Sequence, residues 1–414
     1  MANQLLTISK ITNEALMVLE NELTFTSEVD RNYDDQFAVV GAKIGNTVNV
    51  RRPGRFLGTT GPALNVEDFN ETSVPVTLGT QFHVDTQFTT QDLALSLDMF
   101  SDRVLKPAVA AIANKIDRDG LVMAKNNTAN IVGTAGTPPT GLITYLTAAA
   151  YLDAEGAPRD GRRSCIVEPF TSATIVDSLK GLFVPQEAIG EQYRKGLMGR
   201  DSAGMNWKMD QNVVSQTFGS YSTSVLSCNT STATGFLTSG WASTSTIALS
   251  ATTATASLQQ GDVITIANVY AVNPQNRQAY GSNKLRNFVV TSAVTVATSG
   301  TTSVTVSPAV ITAGQFQNVS VTSPGASAVT PFNNTGVVSP QNIIMHRNAF
   351  CLAISDLELP EGVHFAGRAS DKEIGLSMRV VRQYTINNDS IPTRLDVLYG
   401  WAPLYPELAC RVAA

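Results

Sequence analysis

The chain has 414 residues, of which 43% are hydrophobic and only 15% are charged, and its formal net charge is −5. Soluble proteins usually carry about 25% charged residues, so we expect a surface covered by copies of the same chain, or a secreted Ser/Thr-rich β protein. The negative balance argues against a dedicated nucleic-acid-binding protein, which would show a basic surface. The opening MANQLLTISK lacks a signal-peptide core, and no apolar run is long enough to span a bilayer.

The first predicted element is an amphipathic helix over residues 3–25. Leu5, Ile8 and Ile11 recur at helical spacing and continue into a longer apolar stripe. A helix with such a stripe and no partner nearby in the sequence docks on its own domain or on a neighbouring chain. Both options stay open at this stage.

A long two-stranded excursion is predicted next, within residues 36–88. Residues 47–51 and 74–78 alternate as strands do, and the segment between them is rich in Gly, Pro and charge. An isolated hairpin is marginally stable in water, so one of this length needs a surface to lie on, which suggests an intermolecular role.

The charges of this excursion lie in two groups. Three arginines gather at one strand end and three carboxylates lie near the return of the tip: Arg51, Arg52 and Arg55, with Glu67, Asp68 and Glu71. We expect the arginines to pair with carboxylates of an adjacent subunit. The alternative is that all six are solvated surface charges.

A long helix is predicted from the region of Val104 to Asn127. Val109, Ile112 and Ile116 recur on one side, and the alanines between them favour helix and close packing. Pro107 is tolerated only near a first turn, which fixes where the straight part begins.

The body that follows alternates helices and strands. We predict a helix over 142–152, a buried strand over 163–168, a helix that begins at Ser172 and ends near Lys180–Gly181, and a loop with a helical turn over 184–205.

The composition then changes abruptly. No charged side chain occurs between Asp210 and Asp262, or between Arg286 and Arg347. Short runs of alternating β-branched residues separated by Gly, Ser and Asn predict a small β-barrel or sandwich of about 100 residues.

After residue 331 the main domain resumes. The segments 342–346 and 349–355 are predicted as core pieces, either strand or helix edge. Strands are predicted over 376–385 and 394–401, and the segments 403–406 and 409–412 are predicted as edge pieces. The four cysteines are far apart and form no CxxC pair, which indicates reduced and mostly buried thiols, although the sequence leaves a disulfide open.

No residue pattern indicates an enzyme. The three histidines lie far apart without metal-ligand spacing, and the chain has no P-loop, no GxSxG nucleophile elbow and no EF-hand loop. The sequence therefore predicts no catalytic, cofactor-binding or metal site, and its many elements without a chemical motif favour a structural protein.

The order of these parts resembles the major capsid proteins of tailed bacteriophages with the HK97 fold, and the insertion is most similar to the P22 coat protein branch. The likeness is carried by VLKPAVAAIANKIDRDGLVMA, RSCIVEPFTSATIVDSLKGLF, LQQGDVITIANV, LELPEGVHFAG and RLDVLYGWAPLYPELACRV. It implies an α+β fold with a long spine helix against a small sheet, an extended two-stranded E-loop and an N-terminal arm, together with an inserted β-barrel-like domain.

The resemblance also implies domain boundaries. They are an N-terminal arm at 1–35, the E-loop at 36–88, the spine helix (P-domain) and first part of the A-domain at 89–221, the insertion domain at 222–332, and the rest of the A-domain with the closing P-domain strands at 333–414.

The implied function is a major capsid (coat) protein of the virion. It would self-assemble into pentamers and hexamers of an icosahedral shell around double-stranded DNA, through a procapsid that matures, in the bacterial host cytoplasm. The implied partners are a separate scaffolding protein, a portal and DNA bound without sequence specificity. The competing interpretation is a secreted or surface Ser/Thr-rich β adhesin, which the long helix and the missing signal peptide oppose.

Overall fold

The structure is a computed structural model, and it describes most of the chain. The described residues are 23–31, 46–69, 71–89, 106–178, 202–221, 225–229, 236–252, 255–280, 283–298, 300–321, 327–333, 336–371 and 376–414. The predicted N-terminal helix with Leu5, Ile8 and Ile11, the predicted helix start near Val104 and most of the predicted loop 184–205 lie outside them.

Helices form a small part of the described residues. The α-helices are α1 (Lys106–Asn127), α2 (Leu142–Ala154) and α3 (Pro169–Ser178), and single 3-10 turns occur at Thr26–Glu28, Arg347–Ala349 and Pro406–Leu408. Helix α1 confirms the predicted long helix and its end at Asn127, and helix α2 confirms the predicted helix at 142–152.

Strands dominate the rest. In chain order they are β1 (Thr47–Arg52), β2 (Thr72–Thr77), β3 (Thr80–Thr89), β4 (Ile131–Gly133), β5 (Arg163–Val167), β6 (Asn206–Met209), β7 (Ser215–Thr217), β8 (Leu226–Cys228), β9 (Phe236–Leu237), β10 (Ser245–Ala251), β11 (Ala256–Leu258), β12 (Val263–Ala271), β13 (Leu285–Val290), β14 (Val294–Val296), β15 (Thr302–Ser307), β16 (Val310–Ile311), β17 (Val319–Val321), β18 (Ser327–Pro331), β19 (Val338–His346), β20 (Phe350–Ser355), β21 (Phe365–Asp371), β22 (Leu376–Arg382), β23 (Ser390–Pro403) and β24 (Ala409–Ala413).

The chain divides into two compact units. The first comprises Met1–Val50, Val74–Gly120 and Phe350–Leu404, and its sheet has the order β20-β23-β22-β21, with β3 also paired to β23. Strand β3 pairs with β23 along its whole length, so the chain after residue 79 belongs to this sheet rather than to the predicted excursion.

The first unit holds the N-terminal part of α1. Val109, Ile112 and Ile116 are fully buried there, which confirms the predicted apolar face. A Cβ at Gly120 would lie 2.5 Å from the Trp401 ring and 2.8 Å from Phe25, so only glycine allows this approach.

The second unit comprises Arg51–Ser73, Leu121–Ala349 and Tyr405–Ala414. One of its sheets has the order β4-β24-β19-β5-β6, with β7 beside β19, and α2 packs on it through Tyr145, Ala148 and Leu152. The segment 409–412, predicted as an edge piece, lies inside this sheet between β4 and β19. The prediction was wrong because every residue of β24 is buried, including an arginine that reads as a surface residue in the sequence.

The Ser/Thr-rich insertion forms a closed barrel, as predicted. Six strands pair around a ring in the order β12-β13-β15-β10-β8-β18 and back to β12, and every neighbouring pair is antiparallel. Closure removes free sheet edges and leaves an interior of aliphatic side chains around Phe288. The β-branched residues that predicted the strands therefore make up much of the barrel interior.

All four cysteines are buried and free, in agreement with the predicted thiols. Burial raises the pKa of the Cys165 thiol well above its usual value, so it is protonated at neutral pH.

Candidate inter-subunit surface

The clearest unpartnered surface of the second unit is the loop that joins β1 to β2. We call residues 53–69 the apolar loop, because large apolar side chains stand exposed along it. They are Phe56 (59% exposed), Leu57 (48%), Leu64 (91%), Val66 (79%) and Phe69 (56%). A contiguous stretch of exposed apolar side chains is typical of a surface that binds another protein.

The apolar loop has a defined shape. Phe56 and Phe69 stack with their ring centroids 5.8 Å apart, and the Glu67 carboxylate accepts hydrogen bonds from the backbone N–H groups of Leu57 (2.7 Å) and Gly58 (2.6 Å). A Cβ at Gly54 would lie 2.4 Å from the Phe69 ring, so this stack depends on glycine. The apolar side chains are therefore presented by an internally bonded loop, which lowers the entropy lost on binding.

Two side chains of the insertion hold the apolar loop. The Arg277 guanidinium donates to the backbone carbonyl of Phe56 (2.6 Å), and the Gln315 amide donates to that of Asp68 (2.7 Å). These contacts join the two halves of the loop to the domain that carries the barrel, so a change in the insertion is transmitted to the loop.

The base of the apolar loop is fixed by Arg52. Its guanidinium lies over the rings of Tyr405 (4.6 Å to the centroid) and Trp241 (5.3 Å), and it pairs with the Glu407 carboxylate at 3.7 Å. Only 13% of the Arg52 side chain is exposed. Cation–π contacts of a desolvated guanidinium contribute about 1–2 kcal/mol each, so Arg52 stabilises the chain itself.

The other predicted contact residues have different surroundings. Arg51 pairs with Glu71 across the β1–β2 ladder at 3.5 Å, with 79% and 49% of the two side chains exposed. Arg55 is half-buried, and Asp68 is exposed and held by its backbone. Intersubunit pairing of Arg51, Arg52 and Arg55 stays a prediction, and in the single chain two of the three already have carboxylate partners.

A second polar contact joins the barrel to α2. Arg286, from β13, forms a buried ion pair with Glu155 at the end of α2, and the Tyr280 hydroxyl donates to the same carboxylate at 3.2 Å. Burial raises the pKa of Glu155. Burial alone would lower the pKa of Arg286, but the Glu155 carboxylate raises it overall. Each charge therefore offsets the desolvation of the other, and neither the carboxylate nor the guanidinium would be stable there without its partner.

The sequence did not identify Arg277, Gln315, Trp241 or Glu407 as parts of this surface. Each lies far along the chain from the apolar loop, and only the fold brings them to it. One signal was available in hindsight: Arg277 and Arg286 belong to the few charges within a segment that is almost free of them.

Within the described ranges, no group of three or more His, Cys, Asp and Glu side chains is placed to hold a metal ion. In the same part of the chain, no helix combines the length and the apolar character needed to cross a membrane.

Comparison with known proteins gives one family and several structures. Residues 1–411 match the P22 coat protein family (gene protein 5). The search of curated proteins finds no significant match.

Similar solved structures include a chain of Mycobacterium phage Che8, at 12% identity and a TM-score of 0.48, which covers 94% of this chain and 90% of that one. The capsid of cyanophage P-SCSP1u is similar at 11% identity and a TM-score of 0.44, covering 89% and 84%. A virus-like particle from Pyrococcus furiosus is similar at 7% identity and a TM-score of 0.40, covering 98% of both.

The family match extends over almost the whole chain, including the barrel and the apolar loop. The chain therefore belongs to the P22 coat protein family, and it is a phage major capsid protein that forms the shell.

Proposed function

We propose that the apolar loop is the contact through which each subunit of the shell binds a neighbour, in the manner of an HK97-type E-loop. The observation that carries this proposal is the exposure of its apolar side chains, above all Leu64. Burying a large apolar side chain contributes about 1.5–3 kcal/mol, so several of them on one loop supply a substantial part of an interface. In a closed ring each subunit both donates and receives this contact, which multiplies its effect.

The assignment of parts follows the same proposal. The arm with Leu5, Ile8 and Ile11 adds a second contact with a neighbour, α1 is the spine helix, and β3 with β21–β23 forms the sheet of the P-domain. The sheet built on β19 and β24 belongs to the A-domain, and the barrel is the insertion domain.

The remaining steps of assembly involve other molecules. The shell is icosahedral, assembles as a procapsid in the host cytoplasm with a separate scaffolding protein and a portal, and matures around double-stranded DNA. The chain's net charge of −5 supports DNA that is enclosed without sequence-specific binding. The role is structural and involves no catalysis.

The apolar contact can be tested with a matched pair of variants at Leu64. Leu64→Asp places a charge on the most exposed apolar position, whereas Leu64→Met keeps its apolar character and volume. We expect Leu64→Asp to remain folded but to stop at free subunits or capsomers, and Leu64→Met to form normal shells, as measured by sedimentation and electron microscopy. Normal shells from Leu64→Asp would refute the proposed contact.

The arginines can be separated by reversing them one at a time. Arg51→Glu changes an exposed pair and leaves folding intact, so any loss of shells reports on the interface. Arg52→Glu removes the cation that lies over two aromatic rings, and it puts a second carboxylate beside Glu407. For this variant we expect a less stable free chain. Loss of shells in Arg52→Glu would therefore not be evidence that Arg52 contacts a neighbouring subunit.

A further inference from the structure

The most unusual buried group of the second unit is the guanidinium of Arg411, in the middle of β24. The residue is 0% exposed and is the largest fully buried side chain that the structure describes. None of its three nitrogens, Nε, Nη1 and Nη2, has a hydrogen-bond partner among the described residues. A buried and unpaired charge is costly, so its retention inside a sheet requires a compensating group.

The position of Arg411 follows from the alternation of β24. Cys410 and Val412 point into the core beneath α2, whereas Ala413 belongs to the cluster of Phe218 and Val263 at the base of the barrel. Arg411 shares the face of Ala413, since alternate residues of a strand point the same way. Burial lowers the pKa of Arg411 to about 10, which still leaves the group charged at neutral pH.

The charges around Arg411 do not balance. Burial and the charge of Arg411 lower the pKa of Lys125, while the Asp262 carboxylate acts to raise the pKa of Arg411 against the effect of burial. The three side chains therefore form a cluster of two cations and one carboxylate. The Asp262 carboxylate already accepts hydrogen bonds from Gln216 Nε2 (2.9 Å), the Gly219 N–H (3.0 Å) and the Gln259 N–H (2.8 Å). Among the residues that the structure describes, one positive charge of this cluster therefore remains without a counter-charge.

Unpaired amide oxygens border the same region. Asn126 Oδ1 and Gln216 Oε1 are buried without a hydrogen-bond donor, and they lie 3.1 Å and 3.0 Å from the place a Cβ on Gly261 would take, next to Asp262. Gln341 Oε1 is also unpaired, and the β19–β24 register places Gln341 diagonally across from Arg411. These amide oxygens can accept hydrogen bonds from water, whereas the guanidinium only donates and therefore favours a negatively charged acceptor.

We propose that Arg411 binds a small monovalent inorganic anion of the chloride type, buried between β24 and the base of the barrel. The anion neutralises the excess positive charge that Arg411 and Lys125 leave beside Asp262, and the waters it retains donate to the unpaired amide oxygens. Because these groups come from α1, β7, the start of β12, β19 and β24, the bound anion stabilises the join between the barrel and the sheet.

The test measures unfolding of the full, unassembled chain in sodium chloride, sodium bromide and sodium gluconate at constant ionic strength. Chloride and bromide should stabilise the wild type in a saturable way, and a tenfold excess over Kd should raise the folding equilibrium constant about tenfold over gluconate. Arg411→Met should remove this difference. Lys125→Gln, a half-buried and milder change, should shift the midpoint of the chloride dependence to higher concentration.

A direct measurement complements the titration. Crystals grown in bromide should show an anomalous scattering peak beside the Arg411 guanidinium. The proposal is overturned if chloride and gluconate give the same unfolding curves, if Arg411→Met keeps the chloride dependence of the wild type, or if the bromide crystal shows no peak there.

Discussion

The buried ion pair between Glu155 and Arg286 gives the most informative stability experiment, because it tests whether the barrel is fixed to α2 by charge. Only 6% and 4% of the two side chains are exposed. Two opposite charges about 4 Å apart interact by about 4 kcal/mol at an effective dielectric constant of about 20, and removing one partner strands the other in the interior. We therefore expect Glu155→Met and Arg286→Met each to lower the free energy of unfolding by about 3–5 kcal/mol.

The double variant distinguishes pairing from packing. With both charges replaced by methionine, no charge is stranded, so the loss should be smaller than in either single variant. The double-mutant cycle should then give a coupling energy of at least about 3 kcal/mol, at or above the upper end of the range for contacting residues. Arg159→Met is the matched control, since it removes an arginine from an ion pair that is 75% exposed on the arginine side.

The assay is urea unfolding of the free chain, followed by tryptophan fluorescence and far-UV circular dichroism. Because the chain has two compact units, the two probes must give coincident transitions before one free energy is assigned. Single variants that each lose less than about 1 kcal/mol, with additive effects in the double variant, would refute the reasoning.

Two further predictions concern carboxylates. The Asp117 carboxylate accepts from the backbone N–H groups of Thr24 (2.7 Å), Phe25 (3.2 Å) and Thr26 (3.1 Å), so Asp117→Ala should cost at least about 3 kcal/mol in urea unfolding, and a loss below about 1 kcal/mol would contradict this role. A hydrogen bond from Arg159 lowers the pKa of Asp153 below 3.8, so its contribution to stability is present above that pH and is lost as the pH falls further. Asp153→Asn should therefore be less stable than the wild type above pH 3.8, and its stability should fall less than that of the wild type as the pH drops below this value. Stability curves of the two proteins that run parallel with pH would contradict the prediction.

The elements with a strong local pattern could be predicted from the sequence. Helix α1 carries an apolar repeat and a proline near its first turn, and the barrel strands alternate β-branched residues between turn residues, so local physics sets both. The apolar loop was located through its Gly, Pro and charge content and through the weakness of isolated hairpins. The sequence pattern pointed to the arginines of this excursion and not to the apolar side chains that make it a candidate interface.

What could not be predicted depends on contacts between distant residues. The sequence predicts 409–412 as an edge piece, yet pairing of β24 with β4 and β19 buries it on both sides. Arg52 was assigned to an interface because its aromatic and carboxylate partners, Tyr405 and Glu407, come more than three hundred residues later in the chain. No periodicity in the sequence reports such pairings.

The distribution of charge in this chain follows from its function as a shell subunit. Several of its few charges are buried, with Asp117, Asp396 and Arg411 at 1%, 0% and 0% exposure, while Leu64 stands 91% exposed. In an ordinary soluble monomer the opposite arrangement is favoured. Water solvates charges at the surface, and apolar groups are more stable inside because burial removes them from water. A subunit whose surface becomes interface gains from apolar exposure on the apolar loop. Charge substitutions in the core should therefore impair folding, whereas those on the apolar loop should impair assembly alone.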